Sequence, residues 1–202
     1  MKRQAAQDIV LGASLDNNIL CIAEKSVVAM RQIEPQLVQE MVKAGCVLIE
    51  NQQDIQRLVE LTVLPNGTPN KKFVGKNASV ILDAAHISYA GDPRLIIMRT
   101  PKDHPFAVIE MLMPILPVVT VDSFDEGLDV CLMLEAGLHH TATMHSLNME
   151  RLNHMARKMK TSIFVKNGPS YAGLGFSGEG TTTFTIATPT GESTTSARCF
   201  AR

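Results

Sequence analysis

KSVVAMRQIEPQLVQEMVKAGCVLIENQQDIQRLVELT, residues 25–62, is the stretch that decides the fold. Residues 26–30 (SVVAM) form a short apolar run, which reads as a strand. Over residues 36–44 the period lengthens, and Leu37, Val38, Met41 and Val42 fall on one helical face before Gly45 ends it. Residues 47–49 predict a second strand, and residues 53–61 a second amphipathic helix. A chain that switches period in this way builds strand–helix–strand units.

The same rhythm continues downstream. PNGTP (65–69) is a turn cluster. A helix is expected over 78–86, then strands over 95–98 and 118–121, the last starting only after Pro117. Phe124, Leu128, Cys131 and Leu132 mark a helix that ends near Gly137. Residues 141–144 read as a strand, Met149, Leu152, Ala156 and Met159 as a helix face, and 162–165 as a final strand. The expected fold class is α/β, a parallel sheet with helices on both faces. Upstream, Ala5, Ile9, Gly12 and Ala13 form a helical stripe that begins almost at Met1, with no cap or loop before it. Such a start reads as a piece cut from a longer chain. The tail differs. GPSYAGLGFSGEG (168–180) is glycine-rich, and TTTFTIATP alternates Phe184 and Ile186 with threonines until Pro189, a half-buried strand pattern suited to an arm that pairs with another chain or domain. The expected division is 1–166 for an α/β domain and 167–202 for a glycine-rich loop plus an oligomerisation arm.

Composition bounds the function. The 202 residues are 45% hydrophobic and 19% charged, a globular balance, and the formal net charge is −1. That charge gives no basic field for nucleic acid or an anionic membrane. No apolar run reaches the roughly 20 residues of a membrane span. Cysteines at 21, 46, 131 and 199 lack C-x-x-C spacing, and no secretory signal is visible, so reduced thiols in a cytoplasmic setting are expected.

The chemistry turns on DNNILCIAEKS, residues 16–26. A lone cysteine is most often a small buried hydrophobe. Cys21 sits where a helix pattern has stopped and a strand has not begun, a junction that exposes side chains. Asn17 and Asn18 offer amide donors to a developing oxyanion, and Lys25 favours an anionic sulfur. Cys131 lies on a helix stripe and Cys46 follows Gly45 at a strand start, both expected in the core; Cys199 is expected at the surface. GLHHTATMH brings His139, His140 and His145 together, but adjacent residues of an extended segment point to opposite sides, which argues against one shared ion. One of these histidines is expected to line a cleft at the C-terminal end of the sheet. Gly173, Gly175 and Gly178 spell G-x-G-x-x-G, yet a threonine-rich strand follows where a dinucleotide fold needs a helix. A loop shaping a substrate mouth fits better.

LDNNILCIAEKS, NKKFVGKNASVILDAAH, HPFAVIEMLMPILPVV, GLHHTATMHS and TSIFVKNGPSYAGLGFSGEGTTTFTIATPTGESTTSAR together resemble the coenzyme A-acylating aldehyde dehydrogenases, most closely the propionaldehyde and acetaldehyde enzymes of bacterial propanediol and ethanolamine utilisation. The resemblance runs over nearly the whole chain. It implies that about the first half of the family's chain, including most of the nicotinamide-binding domain, lies outside this sequence. It assigns the nucleophile to Cys21 and contact with the nicotinamide ribose to Glu110. Asn167, Pro169 and Tyr171 would line the aldehyde entrance, with His140 near its mouth. It further implies NAD as cofactor, coenzyme A as acyl acceptor, a homo-oligomer joined by the arm, and a place in the cytoplasm or inside a bacterial microcompartment. No metal is implied. The family's pattern has proline where Leu20 stands, and glycine at Ser193 and near Ser177. Two other readings stay open: a non-catalytic assembly module, and a small nucleotide-binding protein built on the glycine loop.

Overall fold

The computed structural model describes residues 2–176, 182, 183, 185–187 and 193–195. Phe184, Pro189, Cys199, Ser177 and Gly178 therefore lie outside the described residues.

Helix α1 (Lys2–Ser14) leads through a 3-10 turn to strand β1 (Val27–Met30). Then come α2 (Glu34–Lys43), β2 (Cys46–Leu48), α3 (Gln52–Thr62), α4 (Ala78–Ala84), β3 (Leu95–Arg99), the short α5 (Pro105–Val108) and β4 (Ile115–Val121). The second half holds α6 (Phe124–Glu135), β5 (Thr141–Met144), α7 (Met149–Met159), β6 (Ile163–Lys166), a 3-10 turn at Ser170–Leu174, and the two-residue strands β7 (Ile186–Ala187) and β8 (Ser193–Thr194).

The α/β class is as expected, but the single sheet is not. Strands β1, β4, β3 and β2 lie in that order in one parallel sheet, while β5 and β6 pair parallel to each other in a separate one. Within the four-stranded sheet, alternate residues face alternate cores. Val27, Ala29, Leu95, Ile97, Leu116 and Val118 meet α1 and α2. Ile96, Met98 and Ile115 meet α3 and α4 on the other face. Strand β4 starts at Ile115 and runs through Pro117, which is paired with Met98, although proline removes a ladder donor. Six of its seven residues are buried, and their burial outweighs one hydrogen bond of about 1 kcal/mol net.

Helix α6 joins the two sheets. Val130 packs on Val119 and Val121 of β4. Leu128, with Phe124 and Cys131 beside it, packs with Met155 and Met159 of α7 and with Phe164 of β6. The opposite face of β6, Ile163 and Val165, is covered by Ile22, Leu20, Tyr171 and Leu174. The two-stranded sheet thus holds the turn at 170–174 against the loop that contains Cys21. Ile186 of β7 reaches the same cluster, and β7 pairs antiparallel with β8. Among the described residues, no helix is long and apolar enough to cross a membrane.

Candidate active site

The loop between α1 and β1 begins with a backbone that most residues avoid. Asp16, Asn17 and Asn18 have φ of 49°, 52° and 66°, all left-handed. Aspartate and asparagine tolerate that region best among non-glycine residues, which explains the D-N-N run. The amides then lock the conformation. Asn18, buried, donates through Nδ2 to the Ala13 carbonyl at 2.8 Å and the Glu24 carbonyl at 2.9 Å. Asn17 Nδ2 donates to the Gly75 carbonyl at 3.0 Å and to Asn77 Oδ1 at 2.8 Å. Both donors expected to serve an oxyanion are therefore spent holding the loop, a correction to the sequence reading.

Lysine 25 closes the loop from the other side. Its Nζ donates to the Asn18 carbonyl at 2.7 Å, to Asn18 Oδ1 at 2.9 Å and to the Leu20 carbonyl at 3.2 Å. Burial lowers its pKa to about 8, against the opposing pull of Glu110, Cys21 and Glu24. Between these anchors the chain turns, with the Ala23 N–H on the Leu20 carbonyl at 3.0 Å. Ile22 and Ala23 point into the protein, 2% and 4% exposed, and Cys21 points out. Cys46 is buried and Cys131 partly so; burial pushes their thiols up to about 12 and about 11. Among the three described cysteines, Cys21 is the most exposed.

Glu110, on the segment that leads into β4, is half-exposed and places Oε1 3.8 Å from Lys25 Nζ. Cys21 and Lys25 lie on the segment that leads into β1. The cluster therefore sits at the N-terminal ends of two neighbouring parallel strands, not at the C-terminal end where a cleft was expected.

The other candidates divide. Tyr171 and Leu174 pack on Ile22 and Leu20, so the turn after Pro169 does reach the Cys21 loop. Asn167, also left-handed at φ 55°, clasps Ser146: its Oδ1 accepts from the Ser146 N–H at 2.8 Å and its Nδ2 donates to the Ser146 carbonyl at 3.0 Å. That side chain closes the far ends of β5 and β6. His140 stands just before β5, at the opposite end of the pair. Its N–H donates to Glu135 at 3.0 Å and its Nδ1 lies 2.7 Å from Thr141 Oγ1. At about 3.3 Å per residue, the five register steps between His140 and Asn167 separate them by about 16 Å along the strand axis. Among the described residues no group of three His, Cys, Asp or Glu side chains is placed to hold a metal.

Two glycines of the G-x-G-x-x-G stretch have structural reasons. A Cβ on Gly173 would lie 2.2 Å from Ile163 Cγ2, and Gly175 caps the 170–174 turn at φ +78°.

Sequence reasoning missed a buried polar cluster behind the thiol loop. Glu24, 9% exposed, accepts from the Ser170 N–H at 2.9 Å and the Ser170 hydroxyl at 2.8 Å. Burial raises its pKa to about 7; its own backbone N–H and the Ser170 donors oppose the rise, and Asp8 adds to it. Asp8, 5% exposed, lies 3.8 Å from His145 Nδ1. Burial lowers the pKa of His145, with Asp8 opposing. Buried carboxylates that answer to residues more than a hundred positions away leave no local pattern.

No family model matches the chain. The propanal dehydrogenase (CoA-propanoylating) of Salmonella typhimurium is 54% identical over 200 residues, covering 98% of this chain and 43% of that protein. An acetylating acetaldehyde dehydrogenase of the same organism is 46% identical over 204 residues, 98% of this chain and 44% of its own. A solved structure of Rhodopseudomonas palustris propionaldehyde dehydrogenase, with bound CoA and an acylated cysteine, superposes with a TM-score of 0.95 at 45% identity, covering 98% of this chain and 45% of that one. The chain spans less than half the length of the curated relatives it matches.

Proposed function

Because the chain is homologous along 98% of its length to coenzyme A-acylating aldehyde dehydrogenases, we propose that it carries the acyl-transfer centre of such an enzyme, with Cys21 as nucleophile. The observation that carries the reading is the exposed Cys21 on a turn fixed by Lys25, with Glu110 alongside. The Rhodopseudomonas structure with its acylated cysteine and CoA supports it.

In this reading the Cys21 sulfur adds to the carbon of a short aldehyde. The backbone N–H at position 21 helps hold the resulting oxyanion, and each such donor is worth on the order of 3 kcal/mol. Loss of hydride leaves an acyl thioester on Cys21, and the thiol of coenzyme A takes the acyl group. Thioester-for-thioester exchange is nearly balanced in energy, and a thiol ionises far more readily than water, so no strong general base is required. Glu110, half-exposed beside Lys25, suits the hydroxyls of a ribose. NAD, when bound, supplies the hydride acceptor. Propionaldehyde is the favoured substrate, on the higher identity to the propanal enzyme. Oligomerisation through the C-terminal arm and a place inside a bacterial microcompartment belong to the same proposal.

The test is acyl transfer from S-phenyl thiopropionate to coenzyme A by the 202-residue chain. Transfer above the buffer rate, lost in Cys21→Ser, is expected. With propionaldehyde, NAD and coenzyme A, the chain alone is expected to form no NADH. Equal transfer by Cys21→Ser would overturn the reading.

A further inference from the structure

The carboxyl of Glu24 is where three segments of the chain meet. It sits three residues after Cys21. Its two oxygens take both donors of Ser170, which is fully buried at the start of the 170–174 turn. Its own carbonyl accepts from Asn18, which fixes the left-handed start of the thiol loop. From α1, Gly12 leaves the room: a Cβ there would lie 2.2 Å from one carboxylate oxygen. Next to Ser170, Tyr171 packs with Leu20 and Ile22, the two neighbours of Cys21. Any displacement of Ser170 is therefore passed to both flanks of the thiol.

A charge is costly at such a site, and packing alone would be served as well by an apolar side chain. An ionised carboxylate gives Ser170 two charge-assisted acceptors. A protonated one keeps a single good acceptor and turns the other oxygen into a donor, so the Ser170 hydroxyl must reverse. The charged groups that face Glu24 are Asp8 from α1, with His145 behind it, and Lys25 on its own loop.

We infer that Glu24 is a positioning residue, coupling the Cys21 loop to the turn that carries Tyr171 through Ser170, and that the coupling is complete only while the carboxyl is ionised. The inference rests on the reading of Cys21 as nucleophile. Burial places the titration of Glu24 at about 7, so the coupling switches near neutral pH.

The experiment follows iodoacetamide alkylation of the Cys21 peptide by mass spectrometry, between about pH 5.5 and about pH 9, in wild type, Glu24→Gln and Ser170→Ala. Folding of each is checked by circular dichroism. Wild type is expected to show a break near 7 in addition to the ionisation of the thiol itself. Between pH 6 and pH 8 Glu24 passes from about nine-tenths protonated to about nine-tenths ionised. Over that window the rate ratio of Glu24→Gln to wild type should change by about threefold or more, the net worth of about one hydrogen bond, because the break is lost. In Ser170→Ala the break should move to higher pH, since one hydrogen bond to the ionised form is gone. Identical profiles in all three proteins would overturn the inference. Should Glu24→Gln fail to fold, an unmoved break in Ser170→Ala overturns it alone. Slow alkylation at every pH, with the break still abolished in Glu24→Gln, would refute the nucleophile and leave the coupling standing.

Discussion

Replacing Glu24 by glutamine should make the protein more stable at pH 8 and change it little at pH 5. Glu24 is 9% exposed, and its carboxyl holds its proton up to about 7, against 4.5 for an ordinary glutamate. A group whose pKa is raised in the folded state contributes stability below its unfolded value and loses it as pH rises through the folded value. The loss runs from about pH 4.5 to about pH 7 and, at about 1.4 kcal/mol per pH unit, totals about 3 kcal/mol. Glutamine carries no such loss. Its Oε1 still accepts from the Ser170 N–H, and its amide can donate to the hydroxyl oxygen. From pH 5 to pH 8, Glu24→Gln should therefore gain about 2 to 3 kcal/mol over wild type. At roughly 2–4 °C per kcal/mol for a chain of this size, its melting temperature should rise by about 5 to 10 °C relative to wild type at pH 8. Thermal melts followed by circular dichroism at the two pH values measure this. A variant equally or less stable than wild type at pH 8, with the same difference at pH 5, would refute the reasoning and show that Glu24 is not a charge held at a cost. Stability given up at one buried carboxylate is what a positioning role predicts.

Two substitutions test the supports of the site. Gly173→Ala places a methyl 2.2 Å from the stiff Ile163 side chain and should cost about 1 to 3 kcal/mol in urea unfolding by overpacking; a neutral result would reopen the phosphate-cradle reading of the glycine stretch. Asn18→Ala removes two buried hydrogen bonds and the Oδ1 acceptor of Lys25, and leaves alanine at φ 66°, for an expected loss of about 2 to 4 kcal/mol; wild-type unfolding midpoints would show that the loop does not depend on it.

The residues announce most of the secondary structure because its signals are local. Leu37, Val38 and Met41 of the α2 stripe are buried and the apolar runs of β1 and β3 appear where their periods place them, whereas Val42, expected on the same helical face, is 42% exposed. What was hidden depends on distant partners. Nothing in residues 141–144 or 162–165 says that β5 and β6 stand apart from the main sheet; α6, which packs on both sheets, separates them. Pro117 hid the first half of β4, because burial over the whole strand decides against one missing donor. The exposed Cys21 was legible from its position at a helix–strand junction. The amides of Asn17 and Asn18 were misread, since only the fold shows that Gly75, Asn77, Ala13 and Glu24 consume them. Ser170 answers Glu24 across 146 positions, a separation at which sequence carries no pattern.

The central claim is that the Cys21 sulfur can take and hold an acyl group. Incubation with S-phenyl thiopropionate, peptide digestion and mass spectrometry test it directly. A propionyl adduct confined to the Cys21 peptide and released by hydroxylamine is the predicted result. An unmodified Cys21, or acylation spread equally over the other thiols, would contradict it.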